Sequence, residues 1–195
     1  HDATSTDAFQ FAALVGARLT QRCAFRPALR ILGRAAQYAQ SHADSVAPVD
    51  AAVLGLDYIR VLQATGTDSA ALTATADWVR LLVRQYSDDA RIQSIGVDID
   101  LIEVERLARS PDPEQRTEAQ DRIELLQLRN DLAAWQRARA MFYAAFAMPR
   151  HPAAHQIAAY EAADAGIARR LEDTPPEGER RALLTVRSEI MNALG

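Results

Sequence analysis

The sequence contains no lysine, because all 22 of its basic residues are arginine. This absence excludes every mechanism that needs a lysine amine: Schiff-base chemistry, a lysine general base, and the phosphate-binding lysine of Walker-type loops. The abundance of alanine favours codon bias in a GC-rich bacterial genome as the cause, over selection against a modifiable amine. Several enzyme families are therefore excluded before any motif is considered.

Cysteine, glycine and proline are also scarce. The one cysteine, Cys23, excludes an internal disulfide and any metal site built from several cysteines of one chain. We expect Cys23 to be a buried packing residue on the apolar side of its helix. The chain has only 8 glycines and 8 prolines, and the prolines lie mostly between segments with helical periodicity, where they mark breaks.

Long hydrophobic runs and a strong net charge are absent as well. No run approaches the length of a membrane span, and no secretory signal is visible, so the chain is expected to be cytoplasmic or exported by a route that the sequence does not show. Its net charge of −4 argues against nucleic acid as the main partner. The hydrophobic fraction of 49% is sufficient for one packed domain covering residues 1–195.

The apolar spacing is helical almost throughout and predicts an all-α fold, a compact bundle of about seven to eight helices. Two residues mark helix boundaries: Pro27 fits the first turn of a helix, and Gly66 suits a helix C-terminus. Seven predicted helices cover about residues 8–23, 27–41, 50–65, 68–86, 113–147, 152–171 and 178–194. An eighth opens at Asp88 or Asp89 and carries Ile92, Ile95, Ile99 and Ile102 at helical spacing.

Asp112-Pro113 is the strongest local signal for a helix start, with aspartate as N-cap and proline at the first helical position. The helix could run to Ala147, and Asn130-Asp131 would bend or divide it. Its apolar side is predicted to be the spine of the core, with Trp135 largely buried. The residues of this side are Leu125, Leu128, Leu132, Trp135, Phe142 and Phe146.

Five arginines recur at intervals of four residues near the N-terminus, and residues four apart are neighbours on a helix. They are Arg18, Arg22, Arg26, Arg30 and Arg34. One interpretation is a binding surface for an anionic partner. The other, which we favour at this point, is a pair of solvated helix faces, divided at Pro27, that form ion pairs with the acidic segment 41–100.

The segment 94–110, SIGVDIDLIEVERLARS, alternates apolar and acidic residues between Val97 and Leu101. It locally resembles the first motif of holo-acyl-carrier-protein synthases, the phosphopantetheinyl transferases. The resemblance implies a strand on which Asp98 would supply a magnesium carboxylate. The family's later Trp-x-x-Lys-Glu-Ala motif is absent, so we favour a helix whose core stripe contains Ile92, Ile95, Ile99 and Ile102.

Metal and cofactor motifs are otherwise weak. His151 and His155 have the i,i+4 spacing that can present two imidazoles to a metal, but no third ligand is evident. No glycine-rich phosphate loop, nucleophile elbow or dinucleotide-binding fingerprint occurs. We therefore assign no metal site, no cofactor and no catalytic residue.

These observations favour a non-catalytic helical protein-interaction module, of the adaptor, chaperone-like or effector type, from a GC-rich bacterium. Its partner is expected to be another protein, and self-association stays open. One alternative is a bundle that binds an apolar small molecule in an interhelical pocket at Trp135, Phe142 and Phe146. A second is an enzyme with dispersed acidic residues, of which Asp98 and Asp100 would matter most.

Overall fold

The computed structural model of the protein describes residues 2–66, 69–147 and 153–194. Within these ranges the regular structure is entirely helical, with nine α-helices and one short 3₁₀ turn at Ala43–Ser45, so the all-α prediction is confirmed. The predicted number of helices was too low by one, because segment 113–147 forms two helices. The helices are α1 (Asp2–Gln21), α2 (Phe25–Ser41), α3 (Pro48–Thr65), α4 (Ser69–Gln85), α5 (Ala90–Ala108), α6 (Pro113–Gln127), α7 (Ala134–Ala147), α8 (Ala153–Glu172) and α9 (Glu177–Leu194).

The chain divides into two compact units. The N-terminal unit covers residues 1–99 and the C-terminal unit covers residues 100–195, so the division falls within α5. Each unit has buried apolar residues of its own. The expectation of a single domain stays a prediction.

In the N-terminal unit, helices that follow one another in the chain pack against each other: α1 on α2, α2 on α3, and α3 on α4. Glycines permit these close approaches. A Cβ atom at Gly16 would overlap Leu32 of α2, and a Cβ atom at Gly55 would overlap Val79 of α4. The buried core residues between the first helices include Phe9, Ala28, Leu32, Ala35, Ala39, Leu54 and Val61.

The turn between α1 and α2 covers residues 22–24, two residues before the break that the sequence predicted at 24–26. α1 ends at Gln21, and Pro27 occupies the first turn of α2, as its fixed φ and missing N–H favour. Cys23 lies in this turn with φ of 56° and is exposed, so its predicted burial was wrong. The prediction placed Cys23 on the first helix, but that helix ends two residues earlier, at Gln21.

Segment 94–102 is helical and belongs to α5. Ile92, Ile95 and Ile99 are buried, as the helical interpretation predicted, and Ile102 is partly buried. Asp98 therefore lies on a helix and not on the strand that the transferase resemblance implied.

In the C-terminal unit, Asp112 caps α6 as predicted, since its carboxylate accepts a hydrogen bond from the backbone N–H of Glu114 at 2.9 Å. The long predicted helix is divided by residues 128–133, around Asn130-Asp131. This interruption changes the helical register. Leu125 and Leu128 are consequently 67% and 78% exposed, although the uninterrupted stripe placed them in the core.

α7 is the centre of the C-terminal unit and packs against α6, α8 and α9. Phe142 and Tyr143 are buried on it, but Trp135 lies in its first turn and is only partly buried. Trp135 is thus less buried than Phe142, but most of its surface is covered, in keeping with the prediction.

Candidate interaction surface of the N-terminal unit

The five arginines are all exposed and are divided between two helices and the turn that joins them. Arg18 lies in the last turn of α1, and Arg22 follows that helix. Arg26, Arg30 and Arg34 follow the outward side of α2, opposite the buried residues Ala28, Leu32, Ala35 and Ala39, a separation that 3.6 residues per turn produces.

Among the described residues, none of these five guanidinium groups forms an ion pair or a hydrogen bond. The acidic segment 41–100 uses its own arginines instead: Arg60 lies 3.5 Å from Asp98, and Arg91 lies 2.9 Å from Asp89. Among the described residues, the predicted ion pairs between the N-terminal arginines and this segment do not form. Ion pairs within segment 41–100 already involve carboxylates with which the five N-terminal arginines were expected to pair.

An apolar pair precedes the arginines on α1. Phe11 is 69% exposed and Leu14 is 61% exposed, and both lie on the side of the helix that also carries Arg18. The opposite side carries Phe9 and Gly16, which are buried. We call Phe11, Leu14 and Arg18 the outer face of α1.

The outer face of α1 was not identified as a site from the sequence, although a signal existed. At helical spacing, Ala8, Ala12, Val15, Leu19 and Cys23 fall on one side of the first helix, which leaves Phe11 and Leu14 outside that stripe. Two large apolar residues outside the core stripe are candidates for contact with another molecule, since exposed apolar clusters mark interaction sites.

A groove of about 410 Å³ lies beside the arginines of α2. Arg30 and Arg34 contribute to one wall, helix α4 contributes the other, and Tyr58 of α3 reaches the space between them. Gly33 permits this approach, because a Cβ atom there would lie 3.0 Å from the Tyr58 hydroxyl oxygen. The described residues that line this groove are Leu29, Arg30, Gly33, Arg34, Ala36, Gln37, Gln40, Tyr58, Ala71, Ala74 and Thr75.

The described lining of this groove, which we call the α2–α4 groove, includes no carboxylate. The guanidinium groups of Arg30 and Arg34 and the side-chain amides of Gln37 and Gln40 are hydrogen-bond donors. None of these four side chains forms a hydrogen bond to a described residue. The groove therefore presents donors whose hydrogen-bonding capacity is available to an anionic or carbonyl-rich ligand.

A second polar cluster lies inside the C-terminal unit and connects α7 to α9. Arg139 donates to the Tyr143 hydroxyl oxygen and to Glu189 Oε1, both at 3.3 Å. Glu189 Oε2 is buried and has no hydrogen-bond partner among the described residues. The pKa of Glu189 is raised above its ordinary value, mainly because the carboxyl group is buried. The charge of Arg139 lowers this pKa in part, and the neighbouring Glu105 raises it further.

The Tyr143 hydroxyl in this cluster is buried, and burial raises its pKa far above the usual range. It also hydrogen-bonds the Glu105 carboxylate, which is held by Arg109 at 3.1 Å. The cluster thus consists of carboxylates neutralised by arginines around a protonated tyrosine. This arrangement holds helices together and leaves no activated nucleophile.

Phe142 and Phe146, two residues of the predicted apolar pocket, come together on α7 with ring centroids 6.3 Å apart. Tyr160 packs against Phe142 from α8 at 5.6 Å. These rings fill the space around Phe142, which makes it a core residue. Trp135, the third predicted pocket residue, lies two turns earlier in α7.

The predicted acidic and histidine candidates do not converge in the part of the chain that the structure describes. Asp98 lies 3.5 Å from Arg60, and no cluster of three or more metal-ligand side chains forms among the described residues. His151, one half of the predicted histidine pair, lies outside the described residues, so that pair stays untested.

No helix within the described ranges has both the length and the apolar character needed to cross a membrane. No protein-family model, curated protein or solved structure matches the chain.

Proposed function

We propose that the protein is a non-catalytic helical protein-interaction module, and that its N-terminal unit carries the binding surface. The outer face of α1 is the observation that supports this proposal. Phe11 and Leu14 are exposed there one helical turn apart, and the adjoining Arg18 has no acidic partner among the described residues.

The chemistry of this face favours an acidic, amphipathic segment of another protein as the partner. Covering a phenylalanine or leucine side chain contributes about 1.5–3 kcal/mol when burial is complete. Carboxylates around the apolar contact would meet Arg18 and Arg22, and complementary charge mainly accelerates association and selects the partner. Binding should therefore weaken as salt concentration rises.

Differential affinity capture tests this proposal. Immobilised wild-type protein is compared with a variant carrying Phe11→Ser and Leu14→Ser, and bound proteins are quantified by mass spectrometry. A variant with Leu125→Ser and Leu128→Ser is the matched control, because it removes an equally exposed leucine pair from the C-terminal unit. Circular dichroism of all three confirms folding, since such surface changes shift stability by only about 0.5 kcal/mol.

The proposal predicts an acidic protein that wild type and control retain, that the α1 variant loses, and that salt elutes. Equal retention by all three proteins would contradict the assignment of the outer face of α1. If only the control variant fails to retain the captured protein, the interaction surface lies on the C-terminal unit. If the only protein captured is this protein itself, the partner is a second copy of the chain and the proposed acidic partner is wrong.

A further inference from the structure

The α2–α4 groove has dimensions and walls that suit part of a peptide chain. Its volume of about 410 Å³ falls within the range of about 300–1,000 Å³ that is typical of ligand sites. Two helices form its walls, and Gly33 leaves room for the Tyr58 hydroxyl between them. Such a site can receive one or two side chains together with their backbone.

The polar wall of the groove favours carboxylates. Arg30 and Arg34 are separated by one helical turn, which places their Cβ atoms about 5–6 Å apart. Planar guanidinium groups bind carboxylates through two parallel hydrogen bonds. Because neither arginine has an acidic partner among the described residues, neither would have to break an internal ion pair to bind a ligand.

The remaining lining favours a peptide over a small inorganic anion. Gln37 and Gln40 present amide donors that suit main-chain carbonyl groups. Small apolar residues separate these donors and offer contact to a backbone or an aliphatic side chain. These residues are Ala71 and Ala74, together with Leu29.

The charge of the N-terminal unit argues against nucleic acid. Residues 1–99 contain nine arginines and ten aspartates, a net charge of −1. Domains that bind a phosphate backbone are usually strongly basic. Two arginines in a partly apolar groove are better suited to a few carboxylates held at short range.

We infer that the α2–α4 groove binds an acidic peptide segment of the partner protein, with Arg30 and Arg34 paired to its carboxylates. This inference rests on the proposed function, since it adds a second contact for the same acidic partner, separate from the contact at the outer face of α1. It is independent of Phe11 and Leu14, which do not line the groove.

Fluorescence anisotropy with a short fluorescein-labelled peptide of glutamate and alanine tests the inference on the full chain. The Arg30→Gln, Arg34→Gln variant should weaken binding by about tenfold or more, as expected when two charge-assisted hydrogen-bonding groups are removed. The Arg137→Gln, Arg169→Gln variant removes the same charge from exposed positions of the C-terminal unit and should retain affinity to within about twofold. A peptide with glutamine in place of glutamate should bind no variant.

A second pair of variants tests the groove without changing charge. Ala74→Trp places a large side chain in the groove and should abolish peptide binding, whereas Ala165→Trp, at an exposed position of α8, should leave binding unchanged. Thermal unfolding of both variants identifies any loss of folding.

The outcomes separate this inference from the proposed function. Equal weakening by both arginine pairs would indicate a general charge effect and, like full binding by Ala74→Trp, would overturn the groove assignment. No binding of the glutamate peptide by wild type would overturn the acidic partner itself. Displacement of the peptide by inorganic phosphate or a DNA oligonucleotide at lower concentration would assign the groove to phosphate groups instead.

Discussion

Single residues set how closely the helices of the N-terminal unit approach each other. Gly55 of α3 faces the fully buried Val79 of α4, and an added Cβ atom would overlap the valine while lying 3.2 Å from the Trp78 ring. Valine has few rotamers with which to yield, because its side chain is branched at Cβ. Gly166 of α8 has no atom within 4 Å of the position a Cβ would occupy.

We therefore expect opposite effects from the same substitution at these two glycines. Gly55→Ala should destabilise the protein by about 1–3 kcal/mol, the usual consequence of overpacking. Gly166→Ala should stabilise it by about 0.5–1 kcal/mol, since alanine is the better helix former. Urea unfolding measures both changes, and a stabilised Gly55→Ala variant would show that α3 and α4 are packed less closely than described.

Glu189 makes stability depend on pH. Its pKa in the folded protein is raised above the ordinary value of 4.5, mainly by burial. The folded state therefore holds the proton more tightly than the unfolded state, and this contribution to stability is lost as pH rises above 4.5 through the raised pKa. A glutamine side chain does not ionise, so its stability contribution would not decrease as pH rises.

Glu189→Gln should consequently increase stability at pH 7 and flatten its decline with rising pH. Glu177→Gln is the control, because the Glu177 side chain is 87% exposed. Urea unfolding between pH 4.5 and pH 7 provides the comparison. If Glu189→Gln is instead less stable at pH 7, the ion pair with Arg139 outweighs the cost of burial.

At the scale of helices, local chemistry made most boundaries predictable. Pro27, Gly66 and Asp112 act through fixed φ, a left-handed conformation and side-chain capping, which depend only on nearby residues. The faces of helices were less predictable, because burial depends on which other helix covers them. Leu125 and Leu128 show this: their spacing fits a core stripe, but the helix ends at Gln127 and nothing covers them.

The candidate surface was predictable only in part, for the same reason. The arginine spacing is evident in the sequence, but the absence of internal ion pairs depends on where the aspartates of 41–100 lie. The α2–α4 groove combines residues from three helices. Tyr58 and Thr75 carry no sequence signal that connects them with Arg30.

Capping of α6 by Asp112 can be measured directly. Asp112→Ala removes the acceptor for the Glu114 N–H and should destabilise the protein by about 1 kcal/mol. Asp121→Ala removes an exposed aspartate from the middle of the same helix and should have an effect within about 0.5 kcal/mol. Equal decreases in the free energy of unfolding of the two variants, measured by chemical denaturation, would indicate that the loss of charge, and not the loss of capping, causes the destabilisation.

Across the whole chain, arginines in different regions have different surroundings. Several arginines of the C-terminal unit are held by carboxylates, as in the pairs Arg187–Asp164 at 2.7 Å and Arg122–Glu103 at 2.9 Å. The five N-terminal arginines have no such partners among the described residues. The five clustered arginines on α1, α2 and the turn between them thus have no carboxylate partner among the described residues, in a chain with net charge −4, and this clustering is the basis for assigning the interaction surface to the N-terminal unit.

The most direct test is a two-dimensional amide NMR titration of the full chain with the glutamate–alanine peptide. We predict that shifts will concentrate on α2 and α4, at residues such as Arg30, Gly33 and Thr75, and that added salt will reverse them. Signals from residues 100–195 should stay in place. Shifts centred on the C-terminal unit, shifts spread evenly over all arginines, or no shifts would contradict an acidic-segment binding site in the N-terminal unit.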